Sequence, residues 1–118
     1  MIGVMTERPD PKVVRLPIVQ GVGEMMAQIR LIAKDTSKVF LTDHAVNRMH
    51  ERGISDGDVF RVLRIGEIRG APWFEEDGEK ACKVVLTPRG DRAIGVITIL
   101  IAADGILVVK TVEWEDWQ

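Results

Sequence analysis

The sequence predicts an α+β protein in which two or three N-terminal helices pack on an antiparallel sheet of about four strands. Two observations favour this fold. Apolar residues recur at helical spacing between Gly23 and Ile65, whereas after Gly66 apolar runs alternate with short turns rich in Gly, Pro and Asp. A chain of 118 residues, 46% hydrophobic and 29% charged, can also bury one core without disulfides or metal.

Residues 1–38 are predicted to form an N-terminal extension with one helix. Three prolines among the first 17 residues exclude a long helix there, because proline fixes φ and lacks a backbone donor. Residues 13–16 are either a short edge strand or an arm that docks on a partner. Met25, Met26 and Ile29 then follow helical spacing and predict a helix over residues 24–37, with both methionines in the core.

Residues 39–118 are predicted to form a second unit, which begins with two further helices. Thr42 or Asp43 can cap a helix over residues 43–52, since a side-chain oxygen accepts from the free N–H groups of a first turn. Gly53 suits the left-handed position after that helix. Ser55 caps the next helix, which ends before Gly66.

Four strands are predicted after Gly66. Gly70 and Pro72 restrict the first of them to an edge of the sheet. The third strand is apolar on both alternating faces, and such strands are normally covered on both sides. The helices cover one face of this strand. We therefore expect its other face to be covered by the N-terminal segment or by a second copy of the chain in a homodimer. The strands span residues 68–74, 80–87, 93–102 and 106–113.

Composition excludes several classes of protein. A net charge of −2 lacks the basic excess of a bulk nucleic-acid coat protein. The longest apolar run is too short to cross a bilayer and the N-terminus does not resemble a signal peptide, so we expect a cytoplasmic protein without membrane contact. The single cysteine, Cys82, permits no internal disulfide, and its place in a strand favours a small buried side chain over a nucleophile.

The helix over residues 43–52 carries the candidate site. His44, Arg48 and Arg52 stand four residues apart and therefore share one stripe, while Ala45 and Met49 lie on the adjacent face that would pack on the sheet. Histidine titrates near neutral pH, and guanidinium offers a rigid fork of donors to phosphate oxygens. This trio suits cleavage of RNA without a metal or other cofactor, with the 2′-hydroxyl as nucleophile.

Other interpretations of the same residues stay open. In one alternative, the two arginines only pair with carboxylates such as Glu51, and the stripe is a solvated face. His50 faces away from His44, so a histidine metal pair is not predicted. Acidic residues near the C-terminus are expected to form a solvated tail rather than a carboxylate pair; they are Glu113, Glu115 and Asp116.

A longer run of residues resembles the bacterial "domain of unknown function 4258" family over about residues 39–114. The resemblance lies in His44-Ala45, Arg48-Met49 and Glu51-Arg52-Gly53-Ile54-Ser55, then in Asp58-Val59, Val62-Leu63 and Gly66-Glu67-Ile68, and in a Thr of the last strand, Thr111. That family is similar to toxin nucleases of the barnase–EndoU–colicin–RelE group, which have one or two helices before an antiparallel sheet and are often encoded beside an antitoxin.

The resemblance implies roles for four residues. His44 would act as acid or base, Arg48 and Arg52 as phosphate clamps, and Thr111 as a hydroxyl donor to the phosphate or 2′-oxygen. Many relatives carry an aromatic residue, often Tyr, after this Thr, whereas this chain has no Tyr and places Val112 there.

Two functions follow as hypotheses. The first is a toxin-like, metal-independent ribonuclease that acts on RNA and belongs to a toxin–antitoxin or mobile-element system. The second is a non-catalytic module that docks on a host or partner protein.

Overall fold

A computed structural model describes residues 21–87 and 92–115 of the chain. It contains three α-helices and five strands in these residues. The helices are α1 (Val22–Ala33), α2 (Asp43–Arg52) and α3 (Asp56–Ile65), and the strands are β1 (Val39–Leu41), β2 (Glu67–Phe74), β3 (Lys80–Leu86), β4 (Ile94–Ile101) and β5 (Ile106–Trp114). None of the helices in these ranges is long and apolar enough to cross a membrane.

The five strands form one mixed sheet in the order β1-β5-β4-β3-β2. Strands β2 to β5 pair antiparallel, while β1 runs parallel to β5. The predicted α+β class is confirmed, but a purely antiparallel sheet of about four strands is wrong. The helices also do not all precede the sheet, because β1 comes before α2 and α3. Three residues are too few to show strand periodicity, so β1 is defined only by its pairing with Leu107, Val108 and Val109.

The helix boundaries follow local capping. The predicted first helix is too long at its end: α1 ends at Ala33, and a short 3₁₀ turn over Thr36–Lys38 follows because Asp35 accepts a hydrogen bond from the Ser37 backbone. The predicted caps of α2 and α3 are confirmed. Thr42 caps α2, Gly53 ends it at φ 66°, and Ser55 forms a capping box at the start of α3.

All three helices cover the same face of the sheet, which we call the inner face. Met25 and Met26 of α1 are buried there, as predicted, beside alternate residues of β4. Cys82 of β3 is fully buried in the same core, which confirms its structural role. Because α1 shares this core with the strands, the described residues pack as one unit around a single apolar centre.

The opposite, outer face carries a continuous row of apolar side chains. Cross-strand pairing places Trp73, Ala81, Ile99, Val108 and Phe40 side by side over the five strands. Phe40 is 50% exposed and Trp73 38%. β4 is therefore apolar on both faces, as its sequence indicated. Its cover by the N-terminal segment, which lies outside the described residues, or by a second copy stays a prediction.

The hairpin between β2 and β3 leans over the outer face. Glu75, at its turn, accepts hydrogen bonds from Lys110 of β5 at 2.7 Å and from the Trp73 indole at 2.7 Å. β2 bends to allow this, since Gly70 adopts φ 78° and the pairing register shifts between Arg69 and Trp73. As predicted, β2 is an edge strand.

Candidate functional site

Helix α2 lies along the part of β5 that β1 leaves unpaired. β1 ends at Leu41, and the next residue, Thr42, is bound to β5 through both its backbone and its side chain. Its backbone N–H donates to the carbonyl of Val109 at 3.2 Å, and its hydroxyl donates to the carbonyl of Lys110 at 3.1 Å. The same hydroxyl oxygen accepts from the Ala45 backbone. One threonine thus caps the helix and fixes its start to the strand.

The other end of α2 is fixed to β5 as well. The Arg52 guanidinium donates from Nη1 to the carbonyl of Val112 at 3.0 Å. The Trp114 indole donates in return to the carbonyl of Arg52 at 2.9 Å. Because Ala45 and Met49 are buried between these ends, the helix is held against the strand along its whole length.

His44 and Arg48 lie on the free side of this helix. His44 is exposed and makes no hydrogen bond or ion pair with residues 21–87 or 92–115. Arg48 pairs with Glu51 one turn further along, with the arginine 36% exposed. An ion pair at such a position contributes little to stability, so the Arg48 guanidinium can exchange Glu51 for another anion at small cost.

A bulge in β5 decides where Thr111 points. Ile97 pairs with Thr111 but the next residue, Thr98, pairs with Val109, so Lys110 is an extra residue in the strand. Val109 and Val112 are consequently both inner-face residues, three positions apart instead of two. The extra residue turns Thr111 to the outer face, where it is half-buried.

Contacts in the structure bring only some of the predicted residues together. Arg52 touches β5 at Val112, next to Thr111 in the strand. Within the described ranges His44, Arg48 and Thr111 share no hydrogen bond with one another. These residues lie on the same edge of the domain, since α2 and the bulged part of β5 run side by side.

An organised charge cluster, which the sequence did not predict, lies on the outer face beside this edge. Lys83 of β3 contacts Glu115 at 2.9 Å and Glu113 at 3.4 Å, and Arg69 of β2 lies 3.6 Å from Glu115. The expectation of a solvated acidic tail is wrong for these two glutamates; Asp116 lies outside the described residues. Hydrogen bonding to Glu115, followed by the charges of both glutamates, raises the pKa of Lys83.

Gly95 makes this cluster possible. It lies in β4, between the strand of the lysine and the strand of the glutamates. A Cβ there would overlap the Glu115 carboxylate and lie 3.1 Å from Cδ of Lys83. Glycine inside a strand often marks such a close approach, so Gly95 is the signal in the sequence that points to this cluster.

A cavity of 150 Å³ connects the helix to the charge cluster. Arg52 lines one side and the charged residues of the outer face line the other; the lining residues are Arg52, Lys83, Glu113, Trp114 and Glu115. His50 lines a different cavity, of 300 Å³, with Met49 and Ile54. The candidate site is therefore the edge of β5 together with this cavity, and Arg52 belongs to both.

Cys82 takes no part in this site. Burial raises the pKa of its thiol to about 12, against which the charge of Lys80 has a smaller effect. The thiolate is the nucleophilic form of cysteine. A side chain that is buried and protonated at neutral pH acts here as a small apolar group.

The structure is an α+β domain in which the helices cover one face of a mixed sheet. Its candidate site lies where polar groups gather along the edge of the last strand. A family model described as a domain of unknown function, number 4258, matches residues 41–114, and the chain belongs to this family. The match contains α2, α3, β2 to β5 and nearly all the site residues. No curated protein and no solved structure matches the chain.

Proposed function

We propose that this protein is a toxin-like, metal-independent endoribonuclease that cleaves RNA phosphodiester bonds. One observation supports it above the others. Hydrogen bonds at Thr42 and Arg52 fix α2 to β5 at both ends, so that the polar stripe of the helix and Thr111 belong to one rigid edge. Catalytic groups that are held in place before the substrate arrives need no costly rearrangement during the reaction.

The reaction we propose is an internal transfer of the phosphoryl group. The 2′-hydroxyl loses its proton to a base, O2′ forms a bond to phosphorus, and the bond from phosphorus to O5′ breaks. The leaving O5′ receives a proton from an acid. The products are a 2′,3′-cyclic phosphate and a free 5′-hydroxyl, and no water or metal enters the balance. His44 supplies one of the two proton transfers, as base or as acid.

Arg48, Arg52 and Thr111 would stabilise the charge that grows on the phosphate. A guanidinium has five N–H donors. Arg52 uses one of them on Val112, which leaves others for phosphate oxygens while holding the group still. Arg48 would exchange its pairing with Glu51 for the phosphate. Thr111 would donate its hydroxyl hydrogen from the strand.

Cleavage of RNA in EDTA tests the proposal. We expect the purified protein to leave 2′,3′-cyclic phosphate ends, and we expect His44→Ala to remove cleavage without lowering the melting temperature. His50→Ala is the matched control, because His50 is also an exposed histidine of α2 but lines another cavity. Absence of cleavage by the wild type, or full cleavage by His44→Ala, would contradict the proposal.

The biological setting proposed with this activity is bacterial and cytoplasmic, in a toxin–antitoxin or mobile-element system with RNA as substrate and an antitoxin as partner. Induced expression in a bacterium should then slow growth and degrade RNA. The His44→Ala protein, at equal abundance, should do neither.

The apolar outer face favours a second candidate function, a non-catalytic module that binds a host protein or a second copy. Phe40 and Trp73 are exposed at opposite ends of the row across the sheet. This candidate expects no turnover at any protein concentration and a stable complex in solution. It also expects Phe40→Ser and Trp73→Ser to abolish that complex while the fold persists.

A further inference from the structure

The proposed reaction moves two protons, and His44 accounts for one of them. We propose that the cavity between Arg52 and Lys83 binds the scissile phosphodiester, and that Glu113 is the catalytic residue that moves the other proton. This inference rests on the proposed ribonuclease function and adds Lys83 and Glu113 to it. Four observations support it.

The first observation is the charge around the cavity. Arg52 and Lys83 line the cavity and balance the two carboxylates that line it, Glu113 and Glu115. Arg69 contacts Glu115 from outside the lining and adds one positive charge to the group. One phosphodiester carries one negative charge, so its arrival makes the group neutral. The cavity of 150 Å³ is also small for a whole nucleotide and suits a phosphate group, with the two nucleosides outside it.

The second observation is the difference between the two glutamates. Glu115 has only 9% of its side chain exposed and contacts Lys83 at 2.9 Å. Glu113 is 42% exposed and lies further from the same ammonium group, at 3.4 Å. Glu115 is therefore a positioning residue that holds Lys83 in place. Glu113 is the more exposed of the two carboxylates and is open to substrate.

The third observation is an unused acceptor. Oε2 of Glu115 is buried and has no hydrogen-bond partner among the residues described. Buried acceptors in folded proteins are nearly always satisfied, and leaving one unsatisfied is costly. This oxygen lies over Gly95, where a Cβ would overlap it, so the close approach to β4 holds the Glu115 carboxylate in place with its other oxygen towards Lys83.

The fourth observation is the alignment along β5. Thr111 and Glu113 are two residues apart, beyond the bulge, and so both face outward. Arg52 reaches the strand between them, at Val112. Glu113 lines the cavity together with Arg52, whereas Thr111 does not, so a phosphate in the cavity would have the Glu113 carboxylate beside it.

The proposed step balances with these groups. The Glu113 carboxylate takes the proton of the 2′-hydroxyl as O2′ bonds to phosphorus. The bond to O5′ breaks, and the imidazolium of His44 gives its proton to O5′. Glu113 ends protonated and His44 ends neutral, and exchange with solvent restores both. Lys83 and Arg52 face the non-bridging oxygens throughout, where charge accumulates.

A dinucleotide whose 2′-oxygen is methylated cannot undergo the reaction and reports binding alone. We expect its addition to the ¹⁵N-labelled full chain to shift the amide resonance of Gly95, which lies under the cluster. The double variant Lys83→Met/Glu115→Gln leaves no unpaired buried charge, and should weaken binding about tenfold or more. Glu113→Gln removes a negative charge beside the phosphate, so it should bind the dinucleotide at least as tightly as the wild type, yet lose about a hundredfold or more of RNA cleavage. Glu76→Gln, an exposed glutamate outside the cavity, is the control for both measurements.

The outcomes separate this inference from the proposed function. If the wild type binds the dinucleotide through Lys83 but does not cleave RNA, the ribonuclease proposal and the role of Glu113 fail while the phosphate site stands. If the wild type cleaves RNA and Glu113→Gln cleaves equally fast, Glu113 is not the base. If the double variant binds as tightly as the wild type, the phosphate does not occupy this cavity.

Discussion

Trp114 and Arg52 bind each other's elements reciprocally: the Trp114 indole donates to the Arg52 carbonyl at 2.9 Å, and the Arg52 guanidinium donates to the carbonyl of Val112, two residues before the tryptophan. The Arg52 carbonyl belongs to the last turn of α2, where carbonyls lack partners within the helix. Arg92 also stacks on the Trp114 ring, with its guanidinium 4.1 Å from the ring centre. The position of the Arg52 side chain therefore depends on the last strand.

Removing the indole donor should loosen this end of α2. We expect Trp114→Phe to lower the free energy of unfolding by about 1–3 kcal/mol, because it deletes a part-buried hydrogen bond and leaves the Arg52 carbonyl unsatisfied. Trp73→Phe deletes an exposed bond to Glu75 and should cost less. Urea unfolding measures both variants. Equal effects would mean that the bond to Arg52 does not anchor the helix.

The cap at the start of α2 gives a second test. Thr42→Val keeps the shape of the side chain but removes the oxygen that binds both the Ala45 backbone and the Lys110 carbonyl. We expect a loss of about 1 kcal/mol or more in the free energy of unfolding. Thr42→Ser retains the hydroxyl and should recover most of that loss. Under the proposed function, Thr42→Val should also reduce RNA cleavage.

Gly66 follows α3 where the chain enters β2. A Cβ at this position would lie 2.5 Å from the carbonyl oxygen of Val62 and 2.8 Å from that of Val85. Backbone atoms cannot move aside as the end of a side chain can, so we expect Gly66→Ala to cost about 1–3 kcal/mol. Gly23→Ala, in α1 with open space around it, is the control and should be neutral or stabilising. Thermal denaturation distinguishes the two.

The thiol of Cys82 links stability to alkaline pH. Its folded pKa is raised by burial from 9.0 to about 12, so the unfolded chain loses this proton first as the pH rises. The thiol therefore stabilises the fold fully below pH 9.0, and this contribution is lost as the pH rises towards 12. We expect the free energy of unfolding to fall less between pH 9 and 10 in Cys82→Ala than in the wild type.

Lys83 has a raised pKa as well. Its contribution to the free energy of unfolding is lost only when the pH rises above its ordinary 10.5, so Cys82 and Lys83 affect stability in different pH ranges.

Labelling with a thiol reagent gives an independent check of the burial of Cys82. The native protein at pH 8 should react slowly and the unfolded chain at once. Rapid labelling of the native protein would contradict the burial of Cys82.

Much of the fold was predictable because its signals are local. Thr42 and Gly53 delimit α2 through bonds within one turn, and Ser55 begins α3 in the same way. Gly70 and Pro72 excluded a central position for β2, because proline cannot donate to a neighbouring strand. The predicted first helix is too long at its end. The Asp35 side chain accepts a hydrogen bond from the Ser37 backbone, and this bond competes with an otherwise acceptable helical pattern.

The missed features depend on residues far apart in the chain. β1 is a strand because it lies beside Leu107, Val108 and Val109, and nothing within its three residues requires this. The glutamates near the C-terminus were expected in solvent because acidic residues near a terminus usually lie there. Their contact with Lys83 depends on the register of β5 against β4 and on the absence of a side chain at Gly95.

The sequence by itself determined the class of fold, the two capped helices, the buried cysteine and the stripe of His44, Arg48 and Arg52, since spacing and capping act over a few residues. Tertiary structure decided which groups meet this stripe. The extra residue at Lys110 turns Thr111 and Glu113 to the outer face, and Gly95 lets a carboxylate reach Lys83 across a strand. Strand register is set by packing of the whole sheet, so no short segment contains that information.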